Sequence, residues 1–255
     1  MSVDQFEIPN SDSNSRSVVF WTVHKAASRY LYGVFRRLVQ SAGMPAVNFA
    51  SMLFEQGESI EWTPESNEFV SNNSNGYFFG PFRQPEQRPT GLSFEDFTQI
   101  LVVRDPRDIV TSHYFSNRFS HRLPGQQDEQ REEKSDAGEI DEYVLRVAPR
   151  FATRFAEYGE MLSDQAPISV YRYEDLLFDF DNWIDEALKH IGVEPRARAL
   201  AFVKENHEAD GPATEDVSSH RRQVTPGDHQ RKLKAETIDA LNECFSESLV
   251  RFGYK

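Results

Sequence analysis

Residues 99–114 read QILVVRDPRDIVTSHY. Gln99–Val103 is a short apolar run rich in aliphatic side chains, the pattern of a buried strand. Pro106 then fits the first turn of a helix, where its missing N–H costs nothing. Ile109, Ser112, His113 and Phe115 ride on that helix. The same grammar appears upstream. Val18–Val23 (VVFWTV) leads through His24, Lys25, Ala26, Ala27 and Ser28 into a helix. Leu31, Val34, Phe35, Leu38 and Val39 share one face of it, and Gly43 is its stop. Ile168–Tyr173 (ISVYRY) is another strand, followed by a helix with Trp183, Ala187, Leu188 and Ile191 that ends at Gly192. Strands separated by helices predict an α/β chain, a three-layer architecture with a parallel sheet flanked by helices. Ligands of such sheets gather at the carboxyl ends of the strands. Lys25 and Arg104 both lie just past a strand end.

The rest of the chain is arranged around this frame. Met1–Ser17 is Ser/Asn/Asp-rich and reads as a flexible segment before a single domain over residues 18–255. Met44–Gly91 reads as loops with one short strand near Tyr77–Phe79. Gly125–Asp141 is charged and turn-rich, which suits a solvated loop or a lid beside a site. A helix with Val144, Val147, Phe151 and Phe155 follows. The closing helix carries Ile238, Leu241, Phe245, Leu249 and Phe252, with Cys244 expected as a packed thiol.

Composition excludes several classes. The 255 residues include 20 Phe and are 38% hydrophobic, so a sizeable core is expected. Lys plus Arg total 28 against 41 Asp plus Glu, a net charge of −13. That balance argues against a general nucleic-acid binder. An anionic ligand must therefore be drawn by a local basic site. One cysteine excludes a disulfide framework and a cysteine-built zinc site. No apolar run reaches the roughly 18–20 residues of a membrane span, and no signal peptide is read. A soluble, cytoplasmic protein is expected.

The two turns carry the chemistry. A strand that ends in Lys25 and opens a helix gathers free backbone N–H groups, the positive helix end and an ammonium at one point. That is a phosphate site in physical terms, and also the look of an ordinary turn with a solvated lysine. It is not a nucleoside-triphosphate loop, because G-x-x-x-x-G-K-[ST] is absent. In the second turn, Arg104 and Ser112 suit another phosphate group. Asp105 and Asp108 suit orienting Arg104 or Arg107, or capping the helix. By itself this turn also reads as a structural ion-pair network.

Together the segments resemble the sulfotransferases that use 3′-phosphoadenosine 5′-phosphosulfate (PAPS). VHKAASRY resembles their 5′-phosphosulfate loop and RDPRDIVTSHY their 3′-phosphate motif. YRYEDLL and RRQVTPGD are similar to two further segments, in the same order. The family's first loop usually reads Pro-Lys-x-Gly-Thr, where this chain has His24, Ala27 and Ser28. The resemblance implies a P-loop-like sulfotransferase fold, PAPS as donor, a small-molecule acceptor and no metal. It implies that Lys25 contacts the bridging oxygen between phosphate and sulfate. Ala26, Ala27, Ser28 and Arg29 would hold the 5′-phosphate, and Tyr30 would lie against adenine. Arg104 and Ser112 would grip the 3′-phosphate, joined by Arg221 and Arg222, and Tyr173 would touch the nucleoside.

Many relatives carry a catalytic His some twenty residues before the 3′-phosphate Arg. GYFFGPFRQ has none. Glu55 or Glu58, His24, His113 and His121 remain as candidate bases. Phe49, Phe54, Trp62, Phe79 and Phe82 are candidates for an acceptor wall, or for plain core. The function read here is sulfuryl transfer from PAPS to a hydroxyl or amine. A catalytically inactive module that binds PAPS or its product, or a P-loop-type kinase, are the alternatives.

Overall fold

The computed structural model describes residues 8–55, 57, 63–85, 93–120, 139–163, 168–207 and 225–255. Two compact units result: Met1–Val103 with Glu160–His207, and Arg104–Gly159 with Glu208–Lys255.

The first unit holds a five-stranded sheet. Its strands are β1 (Val18–Thr22), β2 (Ala46–Val47), β3 (Phe78–Phe82), β4 (Thr98–Val103) and β5 (Ile168–Arg172). They lie in the order β2-β3-β1-β4-β5, and every neighbouring pair is parallel. The central strands are buried almost throughout, which is why they read as continuous apolar runs. From β1 the chain builds β2 and β3 on one side, then β4 and β5 on the other. The order therefore reverses between β1 and β4, the place where open α/β sheets bind ligands.

Helices flank the sheet, starting with α1 (Ser28–Ser41). α2 (Phe49–Glu55) and α3 (Pro64–Asn72) occupy a stretch expected to be mostly loop. α3 buries only Ser66 and Val70 in its nine residues, so it has almost no apolar period to read. A reciprocal capping box between Thr63 and Ser66 starts it instead. β2 is two residues long and leaves no pattern.

The phenylalanines pack around this sheet. Phe20, Phe35 and Phe78 meet with ring centroids 5.3–5.8 Å apart, in the range of favourable aromatic pairs. Trp21 is fully buried, and its indole N–H donates to Gln99 Oε1 at 3.1 Å. That bond removes the cost of burying both groups. At Gly80 (φ 124) a Cβ would strike the Phe20 carbonyl oxygen. Glycine thus lets β3 lie against β1 where their register slips. Phe49, Phe79 and Phe82 are buried in this core, whereas Phe54 is exposed and Trp62 lies outside the described residues.

The second unit begins with α4 (Pro106–Phe115) and a π-helical turn, Ser116–Ser120. α5 (Ile140–Ser163) runs on into the first unit at Glu160. Three helices of the first unit follow: α6 (Tyr173–Phe178), α7 (Phe180–Ile191) and α8 (Ala197–Glu205). α7 stops at Gly192 in the left-handed conformation, as its sequence predicts. α9 (Asp228–Lys232), α10 (Ala235–Cys244) and α11 (Ser246–Arg251) complete the second unit.

The single closing helix expected from the sequence is two helices, divided at Phe245. Phe245 stays buried against Phe155, so the apolar spacing survives the break and hides it. Cys244 is exposed, not packed. The buried residues Leu241, Phe245 and Leu249 recur every fourth position, and Cys244 falls beside them. Most of Gly125–Asp141 lies outside the described residues. Among the described residues, no helix is long and apolar enough to cross a membrane.

Candidate functional site

In the first unit the β1–β4 ladder pairs Thr22 with Val102 and continues as Val23 N–H donates to the Val102 carbonyl, 3.0 Å. The chain then turns sharply into α1. Lys25 (φ 65) and Ala27 (φ 55) are the non-glycine residues with positive φ among those described. Each such placement costs about 1–2 kcal/mol, because Cβ crowds the following carbonyl. Two strained residues in one turn mark a place where geometry outranks stability.

The turn aims backbone donors outward. Ala27 is the N-cap, with no side-chain cap and no acidic residue in the first turn of α1. The first helical bond there runs from Leu31 N–H to the Ala27 carbonyl. The N–H groups of Ser28, Arg29 and Tyr30 therefore point past the helix end, where the dipole favours an anion. Ala26 is fully buried, which seats the turn on the core.

Tyr30 is held by its neighbours. Its hydroxyl meets His207 Nδ1 at 2.5 Å, and His207 stacks on Phe180 with centroids 3.6 Å apart. Tyr173 opens α6 directly after β5 and is buried. Asp175 of the same segment forks onto Arg172 at 2.8 and 2.9 Å. The acidic residues of YRYEDLL thus include one that fixes the strand end.

In the second unit, Arg104, Asp108, Ser112 and Ser116 are spaced by four residues along α4 and its extension. That spacing puts them on one face. Asp105 caps α4 by accepting from Arg107 N–H at 2.9 Å. It also holds the Arg107 guanidinium, which reaches on to Asn242 Oδ1 at 2.7 Å. Arg107 is thereby a structural residue.

Asp108 is fully buried. It accepts from the backbone N–H of Gly227 (2.7 Å), from that of His229 (2.9 Å), and faces His229 Nδ1 at 2.6 Å. Arg104 Nη2 lies 4.0 Å away. Burial pushes the Asp108 carboxyl up, but His229 and the Arg104 charge outweigh it and hold the pKa at about 2. Its partners follow it by about 120 residues and open α9. Asp108 therefore anchors the C-terminal segment to the Arg104 helix. Ser112 is half-buried, and the Ser116 hydroxyl is buried without a hydrogen bond among the described residues.

His113 faces Tyr143 of α5, whose hydroxyl lies 2.8 Å from His113 Nδ1 and accepts from Asn117 Nδ2. Glu55 is exposed at the end of α2, and His24 is half-buried in the Lys25 turn. Arg221, Arg222, Glu58 and His121 lie outside the described residues. No cluster of His, Cys, Asp and Glu is set to hold a metal among the described residues. His207, His229, Ser116, Asn117 and Tyr143 were not singled out from the sequence. The partners of the His, Asn and Tyr residues are distant in the chain and leave no spaced motif, while Ser116 continues the four-residue spacing of Arg104, Asp108 and Ser112.

The sulfotransferase domain pattern matches residues 46–253. The chain belongs to the sulfotransferase domain family. No curated protein matches it. Among solved structures, this sulfotransferase is similar to mouse sulfotransferase SULT7A1 complexed with PAP. The identity is 15% over 92% of this chain and 84% of that one, with a TM-score of 0.63. It is also similar to retinol dehydratase in a complex with retinol and PAP. There the identity is 12% over 96% and 83% of the two chains, with a TM-score of 0.56. At these identities the likeness is one of fold.

The sulfotransferase loop that residues 23–30 resemble has glycine where this chain has Ala27, and φ 55 is the conformation glycine suits. Ala27→Gly is expected to raise stability by about 1 kcal/mol, because the relieved Cβ clash exceeds the extra entropy of the unfolded chain. Urea unfolding of the two chains reads the difference; an unchanged or lower midpoint would show that Ala27 is not strained.

Proposed function

We propose that this sulfotransferase moves the sulfuryl group of PAPS to a hydroxyl or amine of a small-molecule acceptor and releases 3′,5′-bisphosphoadenosine. One observation carries the reading. β1 and β4 are neighbouring parallel strands at the reversal of the sheet order, and each passes from its carboxyl end into a cationic turn. PAPS has an anionic group at each end of its adenosine, which matches two such turns. The PAP in the solved relatives, and the retinol in one of them, support the same donor and a small acceptor.

In this reading the Lys25 ammonium, with the N–H groups from Ala26 to Tyr30, holds the phosphosulfate end. Arg104 and Ser112 hold the 3′-phosphate together with Arg221 and Arg222, and Asp108 anchors the segment from Gly227 to His229 beside Arg104. Tyr30 and Tyr173 serve the adenosine. The acceptor's lone pair forms the new bond to sulfur as the bond from sulfur to the bridging oxygen breaks. The electron pair of that bond stays on the bridging oxygen, and the acceptor's proton leaves to a base. Of the base candidates, His24 shares the turn with Lys25. A cation beside the bridging oxygen meets more charge in the transition state than in the ground state, so it lowers the barrier.

Arg104 is the test of the donor's identity. The wild-type chain is expected to bind 3′,5′-bisphosphoadenosine at least tenfold tighter than adenosine 5′-phosphate, the scale of one charge-assisted contact. Arg104→Ala is expected to remove that preference in calorimetric titrations. A preference that survives unchanged would take Arg104 out of the 3′-phosphate site.

A further inference from the structure

We propose that Arg146 and Arg150 of α5, set over the rings of Tyr143 and Phe151, form a subsite that recognises an anionic group on the acceptor. The proposal rests on the sulfotransferase reading above for the word acceptor; the anion site itself rests on geometry within the second unit.

The two arginines lie four residues apart on α5 of an acidic chain. Acidic residues outnumber basic ones by 41 to 28. Glu142 lies one helical turn before Arg146, where an ion pair is easily made. Yet neither Arg146 nor Arg150 pairs with a carboxylate among the described residues, and both are exposed. Each guanidinium instead lies over an aromatic ring. Arg146 Cζ is 5.3 Å from the Tyr143 centroid, and Arg150 Cζ is 5.5 Å from that of Phe151. A cation over a ring uses its face and leaves its fork of N–H donors at the edge. That fork matches carboxylate, sulfate or phosphate oxygens.

The aromatic floor beneath them is itself fixed. Tyr143 is buried, its hydroxyl bonded by Asn117 and facing His113. His113 also meets Phe151 edge-on at 5.1 Å, which joins the two rings under the arginines. On the other side Tyr143 touches Tyr114 at 5.4 Å, and Arg118 Nη1 donates to the Tyr114 hydroxyl. Cations from α5 and from the extension of α4 thus sit above one continuous, buried aromatic cluster, which holds their guanidinium groups in place. The fitting ligand carries an acidic group that the two exposed guanidinium forks can grip. Neither arginine belongs to the Lys25 turn or to the Arg104–Ser112 face, which are assigned to the donor, so the proposal gives this anion site to the acceptor.

The experiment titrates the full chain, with and without 3′,5′-bisphosphoadenosine, against matched aromatic probes. These are 4-hydroxyphenylacetate with its amide, and 2-naphthol-6-sulfonate with 2-naphthol. The charged member of each pair is expected to bind at least tenfold tighter, with a preference that shrinks as salt rises. The double variant Arg146→Gln, Arg150→Gln is expected to lose the preference and keep its affinity for 3′,5′-bisphosphoadenosine. Equal binding of charged and neutral probes, no binding of either, or a preference that survives in the double variant overturns the proposal. Tighter capture of poly-glutamate than of any small acid overturns the small-molecule assignment. A wild-type chain that prefers the charged probes but ignores 3′,5′-bisphosphoadenosine supports the subsite and counts against the donor reading instead.

Discussion

Lys25→Ala is expected to lower turnover by about 10²–10³-fold, the cost of removing one preorganised charge contact from a transition state. Affinity for 3′,5′-bisphosphoadenosine is expected to fall much less. The separation follows from where charge develops. In the ground state the bridging oxygen between phosphorus and sulfur carries little charge, and it gains charge only as the bond to sulfur breaks. Alanine is the informative replacement, because Lys25 sits at φ 65. Alanine bears the same Cβ penalty there, so the turn is not altered along with the charge. Single-turnover sulfate transfer and product binding, measured on the same preparations, check the split. Equal losses in both would make Lys25 a binding residue only.

Asp108→Ala is expected to destabilise the protein by about 3–5 kcal/mol, the usual cost of breaking a buried ion pair from one side. The backbone N–H groups of Gly227 and His229 lose their acceptor, and Arg104 loses a nearby carboxylate. Each orphaned buried donor costs about 1–3 kcal/mol before relaxation. The substitution also has a pH signature. The Asp108 pKa is lowered from 3.8 to about 2, so the ionised carboxylate stabilises the fold at pH values above the ordinary range. That contribution, about 2 kcal/mol, is lost as the pH falls from about 5 to 2. The wild-type chain is thus expected to lose stability over this window more steeply than Asp108→Ala. Urea unfolding at several pH values checks both parts, and superimposed acid limbs would remove Asp108 from the linkage.

How much of this was legible in the sequence differs by element. β1 and β4 were readable because both are buried on both faces, so their apolar runs are unbroken. α1 and α7 were readable because they bury one stripe and end at or near glycine. α3 was not, since a cap and a proline start it and little of it is buried. β2 was too short to read. The Lys25 and Arg104 turns stand out in the sequence as strand ends that run into a cation, because that is a local feature, and the structure places each directly after its strand. The strain at Ala27 was not, since alanine carries no mark of a left-handed backbone. Asp108 was seen only as a charge near Arg104. Its partners at Gly227 and His229 are brought to it by tertiary folding, which no spacing in the chain records.

The Asp108 anchor is lopsided in a way that bears on how such a chain can drift. Two of its three donors, at Gly227 and His229, are main-chain groups that almost any residue supplies. Only the imidazole contact depends on which side chain occupies position 229. Relatives are therefore free to vary at 229 at the loss of a single contact, while a change at 108 severs all of them at once. Mutational scanning should find the first position permissive and the second nearly closed.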